Sequence, residues 1–513
     1  MKLPEIVSVY MDDFDFYCIK AFGSRMNRIF AIEESSMDAF IVLKRDNSYE
    51  EAYYGLDIDD GGIYICASSE KGIIYALTDV YLMSNNGEIP SASISDGPKY
   101  PHRAISFDCC RHFFDAREVM RIIDQISLVK MSVFHWHLSD DQGFRIESKK
   151  YPRLNEISGD YYTQDEISEI VEYARARGID VMPEIDMPGH TSSILAAYPE
   201  YGCSGAIIPL ATRGGIYADI LCAGKERVYD FLEELLKEVC GLFPYNRFHI
   251  GGDEAPRKAW RACPDCRKKL KELGVGDDYF GELQGYFTRR VTDIIRTLGK
   301  SPVAWNEVLS AQDVPEDIIV QFWSPDAEGD SIGYVRDGGR FIYSNMYELY
   351  LDYPHSMTPL RKICNVSARM GGMKCDELKG MMGYESPVWT EQIDNNECLE
   401  ERLFPRAYAV GRLAWSGVIN NYDDLVESLK PILIKAKEQG ISVTDRDWWN
   451  PEGPGRLEEA LSFVKNMYGG VDETDEHPAD PEAEKERMEY YAKMFFRPED
   501  IEYIIKVIEE VTK

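Results

Sequence analysis

Alternating strand and helix patterns run through most of the chain. From Arg103 onward, short apolar runs typical of buried strands alternate with segments whose apolar residues recur at helical spacing. The predicted strands are 104–108, 131–138, 179–185, 247–250, 302–306, 318–323, 341–345 and 387–391. The predicted helices are 116–129, 165–177, 226–240, 279–298 and 399–415. This alternation predicts an α/β protein with a (β/α)8 TIM barrel, whose active site is built at the carboxyl ends of the strands.

Smaller units are predicted on either side of the barrel. Residues 53–58 and 62–67 alternate like the two strands of a hairpin, and residues 70–83 have helical spacing, which indicates a small α/β domain. We expect the helical C-terminal part to pack against the barrel or to mediate self-association, for instance in a homodimer. The predicted units are 1–97 (small α/β domain), 98–425 (barrel) and 426–513 (helical extension), with an acidic linker at 469–483.

Composition narrows the classes of partner. The chain has 513 residues and a net charge of -32, from 89 acidic and 57 basic residues. That balance argues against nucleic acid or an anionic membrane surface as the main partner, and it favours a neutral or cationic substrate. No apolar run approaches about 20 residues, so no membrane-spanning segment is predicted. The start Met1-Lys2-Leu3-Pro4-Glu5 lacks the pattern of a signal peptide, so we expect a cytoplasmic location.

The cysteine pattern predicts reduced thiols and no metal centre. There are twelve, and without an export signal we expect them to be reduced. Cys263 and Cys266 form a C-x-x-C pair, but a zinc site needs a second ligand pair, and none stands at a readable spacing. We therefore interpret the pair as a loop feature. No glycine-rich phosphate loop follows a predicted strand, and no cofactor is predicted.

Two adjacent carboxylates follow the fourth predicted strand. Gly251 and Gly252 end the strand, and Asp253 and Glu254 come next. Neighbouring side chains on a regular strand point to opposite faces, so these two share a pocket only if the backbone turns at the glycines. Two close carboxyl groups repel, and one tends to keep its proton, which suits acid catalysis on an acetal. The alternative is a solvated acidic loop.

Other strand ends add polar candidates. Arg111 could fork onto hydroxyls or a carboxylate, or it could form a structural ion pair with Asp108. His135 and His137 face one side of the second strand, a spacing found in metal sites. We favour interior histidines that hydrogen-bond acidic residues, because no third ligand is apparent.

Aromatic residues recur at the same end of the predicted barrel. Trp305, Trp323 and Trp389 stand at the ends of the fifth, sixth and eighth predicted strands, and Tyr347 and Tyr350 follow the seventh. Aromatic walls with carboxylates suit a sugar, since the rings stack on its apolar faces while its hydroxyls form hydrogen bonds.

With these motifs in order, the chain resembles the family 20 glycoside hydrolases, the β-N-acetylhexosaminidases. The H-x-G-G-D-E core is specific to this family. The resemblance covers roughly residues 50 to 420. It is carried by Asp108 to Phe113, His135 to Arg145, Pro183 to His190, His249 to Ala255, Trp305-Asn306-Glu307, Tyr350-Leu351-Asp352 and Trp389-Thr390-Glu391.

The resemblance implies substrate-assisted, retaining hydrolysis of a glycan with a terminal β-linked N-acetylhexosamine. It implies that Glu254 is the general acid and that the acetamido oxygen of the substrate is the nucleophile. Asp253 would hold the acetamido N–H, and Tyr350 would bind the acetamido oxygen. The other implied site residues are Trp305, Trp323 and Trp389 around the acetamido methyl, Arg111, Asp352 and Glu391 at the sugar hydroxyls, and Asp140, Asp186 and His190 around the two carboxyls.

Three alternatives stay open at this point. A lacto-N-biosidase of the same family would release a disaccharide. A metal-dependent amidohydrolase would use His135 and His137. A sugar-binding protein without activity would not need an acid placed like Glu254.

Overall fold

A six-stranded mixed sheet comes first in this computed structural model, which describes residues 1–37, 39–276, 279–312, 314–468, 471–472, 492–493, 495–496 and 500–511. In space the strands run second, first, third, fifth, fourth, sixth. The predicted hairpin is confirmed, since Tyr54–Asp59 pairs antiparallel with Gly62–Ala67. The six strands are Ile6–Met11, Ile29–Ile32, Ile41–Arg45, Tyr54–Asp59, Gly62–Ala67 and Ala92–Asp96.

Helix Glu70–Met83, whose bounds are as predicted, belongs to this unit and contacts the barrel through its side chains. Lys71 forms an ion pair with Asp180, with 2.6 Å between Nζ and Oδ2. The hydroxyl of Tyr75 donates to the carbonyl of Gly178 at 3.2 Å. Both contacts lie at the amino end of the third barrel strand. The N-terminal unit is therefore attached at the end of the barrel opposite the predicted active site.

Eight parallel strands close into a barrel, which confirms the predicted fold class. Strands adjacent in the barrel are also consecutive in sequence, and the eighth strand pairs with the first to close it. Every residue of the first two strands is buried, as expected for parallel strands covered on both faces. In chain order the strands are His102–Asp108, Val133–His137, Asp180–Glu184, Arg247–His249, Ser301–Trp305, Ile319–Phe322, Arg340–Tyr343 and Met381–Val388.

Helices cover the barrel at most crossovers. Thr163 and Glu166 form a reciprocal capping box at the start of helix Gln164–Arg175, which satisfies free N–H groups of its first turn. Among the described residues, the fifth strand is followed only by the 3-10 helix Asn306–Ser310. The helices after strands one, two, three, four, six and eight are Ala116–Ser127, Gln164–Arg175, Glu226–Cys240, Gly281–Thr297, Glu328–Arg336 and Arg406–Ser416. Shorter helices are Tyr17–Met26 in the first unit and Arg153–Ser158, Ser192–Ala197, Lys258–Ala262, Pro264–Glu272, Met346–Leu349, Leu360–Cys364 and Asn396–Leu403 around the barrel.

The eighth barrel strand lies earlier than predicted. It spans Met381–Val388, whereas the sequence pattern placed it at 387–391. The prediction was wrong because Gly383 and Glu385 interrupt the apolar run by which the other strands are recognised, although Glu385 is fully buried. Trp389 and Glu391 therefore lie in the loop that follows the strand.

The predicted helix 399–415 is two helices. Asn396–Leu403 and Arg406–Ser416 are separated at Pro405, which lacks the backbone N–H that a continuous helix needs.

The C-terminal part packs against the barrel, one of the two outcomes expected for it. The Phe463 and Phe495 rings lie 5.3 and 5.1 Å from the Tyr353 ring, which follows the seventh strand. Helix Tyr422–Glu438 spans the predicted boundary at 425, and the division into three domains stays a prediction. Further helices are Pro454–Tyr468 and Ile501–Val511. Of the predicted linker 469–483, Val471–Asp472 pairs with Gly215–Ile216, and the rest lies outside the described residues, as do residues 484–491.

Within the described part of the chain, helices are too short or too polar to cross a membrane. None of the twelve cysteines, all of which lie in the described part of the chain, forms a disulfide.

Candidate active site

The carboxyl ends of the barrel strands gather all twelve predicted site residues at one mouth. In chain order they are Arg111, Asp140, Asp186, His190, Asp253, Glu254, Trp305, Trp323, Tyr350, Asp352, Trp389 and Glu391, each at or just after the end of a barrel strand. Every one of the eight strands contributes, so the side chains converge although they span 281 positions, from 111 to 391, in sequence.

The two adjacent carboxyl groups are separated by a sharp turn. Gly251 and Gly252 have φ of +67° and +103°, values that favour glycine, and Glu254 itself has φ of +42°. The turn is held from the third strand, since the N–H of Gly252 donates to Oδ1 of Asp186 at 3.1 Å. The predicted turn at the glycines is confirmed.

Asp253 points into the barrel. Its side chain is buried, and its Oδ1 atom has no hydrogen-bond partner among the described residues. Burial raises the pKa of Asp253 to about 7, and the nearby Glu254 adds to this while His190 opposes it. An unpartnered carboxylate oxygen in a buried position is available to a donor on a bound molecule.

Two further carboxyl groups adjoin Asp253, those of the buried Asp186 and the half-buried Glu307. Burial, and then the charge of Asp253, raise the pKa of Asp186 well above its usual value. Glu307 behaves alike, because burial and the charges of Asp253 and Glu254 raise its pKa. Because the three groups repel one another when ionised, the protonation of each depends on the others.

Glu254 is more open to solvent than Asp253, since its side chain is about one-third exposed at 32%. Its Oε2 atom lies 3.3 Å from Nε2 of His190, whose Nδ1 lies 3.2 Å from Asp141. Burial would lower the pKa of His190, but the carboxylates of Asp140, Asp141 and Glu254 outweigh it and hold that pKa well above the usual value. These surroundings favour the charged form of His190, whose Nε2 lies close enough to Glu254 to orient it.

Four aromatic rings form a closed group beside Asp253. The Trp305 ring lies 6.5 Å from Trp323 and 5.9 Å from Trp389, measured between centroids. Tyr350 completes the group at 6.2 and 6.3 Å from the same two rings. Trp305 and Tyr350 are buried, while Trp323 and Trp389 are half-buried, so the group has a floor and partly open walls.

Arg111 joins several carboxylates at the other side of the mouth. Its Nη2 lies 2.8 Å from Asp140, its Nη1 3.4 Å from Asp108 and its Nε 3.7 Å from Glu391. Both interpretations of Arg111 thus have a structural basis, because it pairs with Asp108 and also faces the mouth. Asp352 adds a buried Oδ1 without a described partner, and burial followed by the charge of Glu391 raises its pKa to about 8.

A histidine–carboxylate network fills the barrel below the site. Both ring nitrogens of His137 are paired, Nδ1 with Glu184 at 2.6 Å and Nε2 with Asp140 at 2.9 Å. His135 lies between Glu385, at 2.6 Å, and Glu184, at 3.2 Å. The preferred interpretation of these histidines is confirmed, because both rings pair with buried carboxyl groups inside the barrel.

Sequence reasoning missed several members of this network and of the site. Glu184 accepts from Trp305 Nε1 at 2.9 Å and therefore fixes the floor of the aromatic group. Glu307 accepts from Trp323 Nε1 at 3.1 Å and fixes a wall. A charged residue inside a predicted buried strand, such as Glu184, was the available signal, because such residues are rarely buried unless paired. Also missed were His102, Asp141, His249 and Glu385.

The sequence matches the family described as "Glycosyl hydrolase family 20, catalytic domain" over residues 100–418. It is 30% identical over 456 residues to a β-hexosaminidase of Porphyromonas gingivalis, covering 81% of this chain and 57% of that protein. It is also 30% identical over 393 residues to a β-hexosaminidase of Akkermansia muciniphila, covering 71% of this chain and 79% of that protein. The chain thus spans somewhat more than half the length of the first relative and most of the second.

Solved structures agree with the sequence comparison. The crystal structure of a β-N-acetylhexosaminidase from Bacteroides fragilis superposes with a TM-score of 0.79 at 27% identity. The superposition covers 86% of this chain and 94% of that one, so it includes more than the barrel.

Proposed function

Because the chain belongs to glycosyl hydrolase family 20, we propose that it is an exo-acting β-N-acetylhexosaminidase. It removes terminal GlcNAc or GalNAc from a glycan or glycoconjugate by substrate-assisted, retaining catalysis. The observation that carries the proposal is the contrast between two neighbouring carboxyl groups. Asp253 is buried beside four aromatic rings, and its Oδ1 atom has no partner among the described residues. Glu254 is about one-third exposed at the open mouth.

In the proposed first step, Glu254 gives its proton to the glycosidic oxygen as the bond to the anomeric carbon breaks. The carbonyl oxygen of the substrate's acetamido group attacks that carbon from the other face. An oxazolinium ion forms, and its positive charge is shared with the acetamido nitrogen. Asp253 accepts a hydrogen bond from the N–H and stabilises this charge, which is greatest in the transition state.

In the second step, Glu254 takes a proton from water, and the water oxygen attacks the anomeric carbon. The bond to the acetamido oxygen breaks, so the sugar leaves with its original configuration. Tyr350 binds the acetamido oxygen, and Trp305, Trp323 and Trp389 enclose its methyl group. Because the acetamido group must lie in place before it can react, this box orients the nucleophile.

Arg111, Asp352 and Glu391 bind hydroxyls of the terminal sugar in this proposal. Carboxylate and guanidinium groups are the usual partners of vicinal hydroxyls in a partly apolar site. The half-exposed Trp389 ring, which lies 5.1 Å below the guanidinium carbon of Arg111, offers its remaining surface to the sugar ring.

One contact favours release of a monosaccharide over a disaccharide. The backbone of Gly214 packs against Glu391, since a Cβ at Gly214 would lie 2.5 Å from Glu391 Cγ. The loop that contains Arg213 and Gly214 is also held by Gln142, whose side-chain amide donates to the carbonyl of Arg213 at 2.6 Å. In our proposal this loop limits the room beyond Glu391, where a second sugar would have to lie. Product analysis on a type 1 tetrasaccharide separates the two activities, because a disaccharide product would contradict our assignment.

The nucleophile is tested with nitrophenyl glycosides that differ only at the 2-position. Replacing the acetamido group by trifluoroacetamido weakens the carbonyl oxygen as a nucleophile, so we expect kcat to fall by an order of magnitude or more. A nitrophenyl β-glucoside, which lacks the acetamido group, should not be turned over. Equal rates with the acetamido and trifluoroacetamido substrates would show that the protein supplies the nucleophile.

A further inference from the structure

Four cysteines from two loops meet at one point beside the active site. Cys203 and Cys222 come from the loop after the third strand, and Cys263 and Cys266 from the loop after the fourth. All four sulfur atoms lie within 4.8 Å of one another. The C-x-x-C pair thus has the second ligand pair that the sequence analysis did not find. That pair was not recognised because its members are 19 positions apart and lie more than 40 positions before Cys263.

We propose that these four thiolates bind one structural zinc ion. The measured sulfur–sulfur distances are 3.5 Å for Cys222–Cys266, 3.7 Å for Cys222–Cys263 and 3.8 Å for Cys203–Cys266. Zn–S bonds of about 2.3 Å in a tetrahedron place the sulfur atoms about 3.8 Å apart. The four cysteines therefore have the spacing of a mononuclear four-sulfur site.

Other uses of four thiols fit this geometry less well. A disulfide needs a sulfur–sulfur distance of about 2.05 Å and joins two partners, whereas Cys222 is nearly equidistant from Cys263 and Cys266. An iron–sulfur cluster holds several metal ions and spreads its thiolates further apart than one ion does. Soft thiolate ligands in a tetrahedron select zinc among the common divalent ions.

The surroundings favour negative charge on the sulfurs. Cys263 and Cys266 stand at the start of helix Pro264–Glu272, where free N–H groups stabilise anions. The ammonium group of Lys225 donates to the carbonyls of Gly202 and Cys203 and so places a positive charge beside the cluster. Four thiolates and one zinc ion carry a net charge of -2, which these features partly offset.

The site is closed, as expected of a structural zinc site and not of a catalytic one. Cys222, Cys263 and Cys266 are buried, and Cys203 is half-buried. Gly224 packs so closely on the peptide between Asp265 and Cys266 that a Cβ would lie 2.3 Å from it. Four protein ligands in a packed pocket leave no position for water or substrate.

Zinc here would hold together the two loops that carry the catalytic groups. Asp186 and His190 precede Cys203 on one loop, and Asp253 and Glu254 precede Cys263 on the other. Leu221, next to Cys222, donates its N–H to the carbonyl of Pro188 at 3.1 Å, two residues before His190. The metal therefore fixes the relative position of His190 and Glu254, although it takes no part in the chemistry.

The direct test is the metal content of the full chain, purified without an affinity tag and without chelators. We expect about one zinc per chain by elemental analysis, released when a mercurial reagent blocks the thiols. Cobalt introduced during expression should give the visible absorption of tetrahedral Co²⁺ with sulfur ligands. A folded, monodisperse chain with no zinc, or with iron in its place, would overturn the proposal. Neither result depends on glycosidase activity, so this test is separate from that of the proposed function.

Matched variants locate the ion. Cys203→Ser changes the half-buried ligand, which is the substitution most compatible with folding, and we expect its zinc content to fall well below one per chain. Cys398→Ser changes another half-buried cysteine outside the cluster and should keep the wild-type content. Equal zinc in both variants would place the metal elsewhere and refute the site. If Cys203→Ser does not fold, the cobalt spectrum of the wild-type chain still decides the question.

Discussion

Asp253 and Glu254 are adjacent in sequence but have different surroundings. Positive φ at the two preceding glycines and at Glu254 turns one side chain into the barrel and the other toward solvent. Burial changes the protonation of the first, while His190 fixes the direction of the second. The division of labour proposed for the two groups thus follows from the backbone turn.

Replacing the proposed acid should affect poor leaving groups most. Glu254→Gln should lower kcat/KM on a glycan substrate by about two to four orders of magnitude, because the departing oxygen is no longer protonated. A dinitrophenyl glycoside leaves without protonation, so its bond-breaking step should change much less. The comparison is made by steady-state and burst kinetics with both substrates. An equal loss on the two would show that Glu254 has some other role.

The pH dependence should report the charge on His190. In the free enzyme the acidic limb of kcat/KM follows ionisation of Asp253, whose pKa burial raises to about 7. His190 is a cation that lowers this pKa, so His190→Gln should raise it and move the acidic limb to higher pH. A pH profile of kcat/KM measures the shift. A limb that stays in place or moves to lower pH would contradict the role given to His190.

The sequence located the residues at the barrel mouth better than the residues that hold them in place. All twelve predicted side chains lie at the barrel mouth, since motif order and strand ends locate such residues. Glu184 and Glu385 were missed because they have partners on strands far away in sequence. Trp305 binds Glu184 across 121 positions, and His135 binds Glu385 across 250. No local pattern records such pairs.

At the scale of elements, the turn after the fourth strand has no room for a side chain at Gly251. A Cβ at Gly251 would lie 1.6 Å from Oδ1 of Asp186, in a backbone with φ of +67°. Gly299 has a similar φ of +77°, but nothing lies within 4 Å of its added Cβ. Alanine substitutions at the two glycines therefore separate two free-energy costs. Both variants have the cost of a positive φ, but only the variant at Gly251 also has the cost of the clash.

We expect Gly299→Ala to lower the free energy of unfolding by about 1–2 kcal/mol and to leave kcat/KM unchanged. Gly251→Ala should cost more and should also lower kcat/KM at least tenfold, because Asp186 must move away from the turn. Denaturant unfolding and steady-state kinetics measure both quantities. Similar losses of activity in the two variants would show that the contact with Asp186 is unimportant.

Strands with apolar sequences were predicted well, and the eighth was not. Its interior residue Glu385 is charged but paired with His102 at 2.7 Å and His135 at 2.6 Å. The strand is stable because histidines from two other strands satisfy that charge. A hydrophobic pattern therefore locates strands whose buried side chains are apolar, and it misses a strand whose buried side chains form a polar network.

At the scale of the whole molecule, the C-terminal helices support the aromatic site. Tyr350 and Tyr353 share an apolar cluster with Phe463, and Trp323 and Trp389 pack against it. None of the predicted site residues lies in this part of the chain. Its contribution is indirect, because it packs against the aromatic walls of the site from behind.

Phe463→Ala should therefore weaken catalysis as well as stability. We expect a loss of about 3–5 kcal/mol in unfolding free energy and a several-fold fall in kcat/KM, measured at a temperature where the variant is folded. Phe22→Ala removes a comparably buried ring, with 4% exposure against 7%, from the N-terminal unit. That control should lose similar stability and keep its kcat/KM. If both variants keep full activity, the C-terminal helices do not shape the site.

The loop 204–221 has a consequence for the range of substrates that such an enzyme can acquire. Its two ends are joined at the base, where Gly202 and Leu221 form a bridge and Cys222 donates its N–H to the carbonyl of Tyr201 at 2.9 Å. Its middle reaches Glu391 at Gly214. A loop closed at its base tolerates changes of length and sequence at small entropic cost. Random libraries confined to these positions could therefore widen or narrow the sugar site while the barrel and its catalytic carboxyl groups stay as they are.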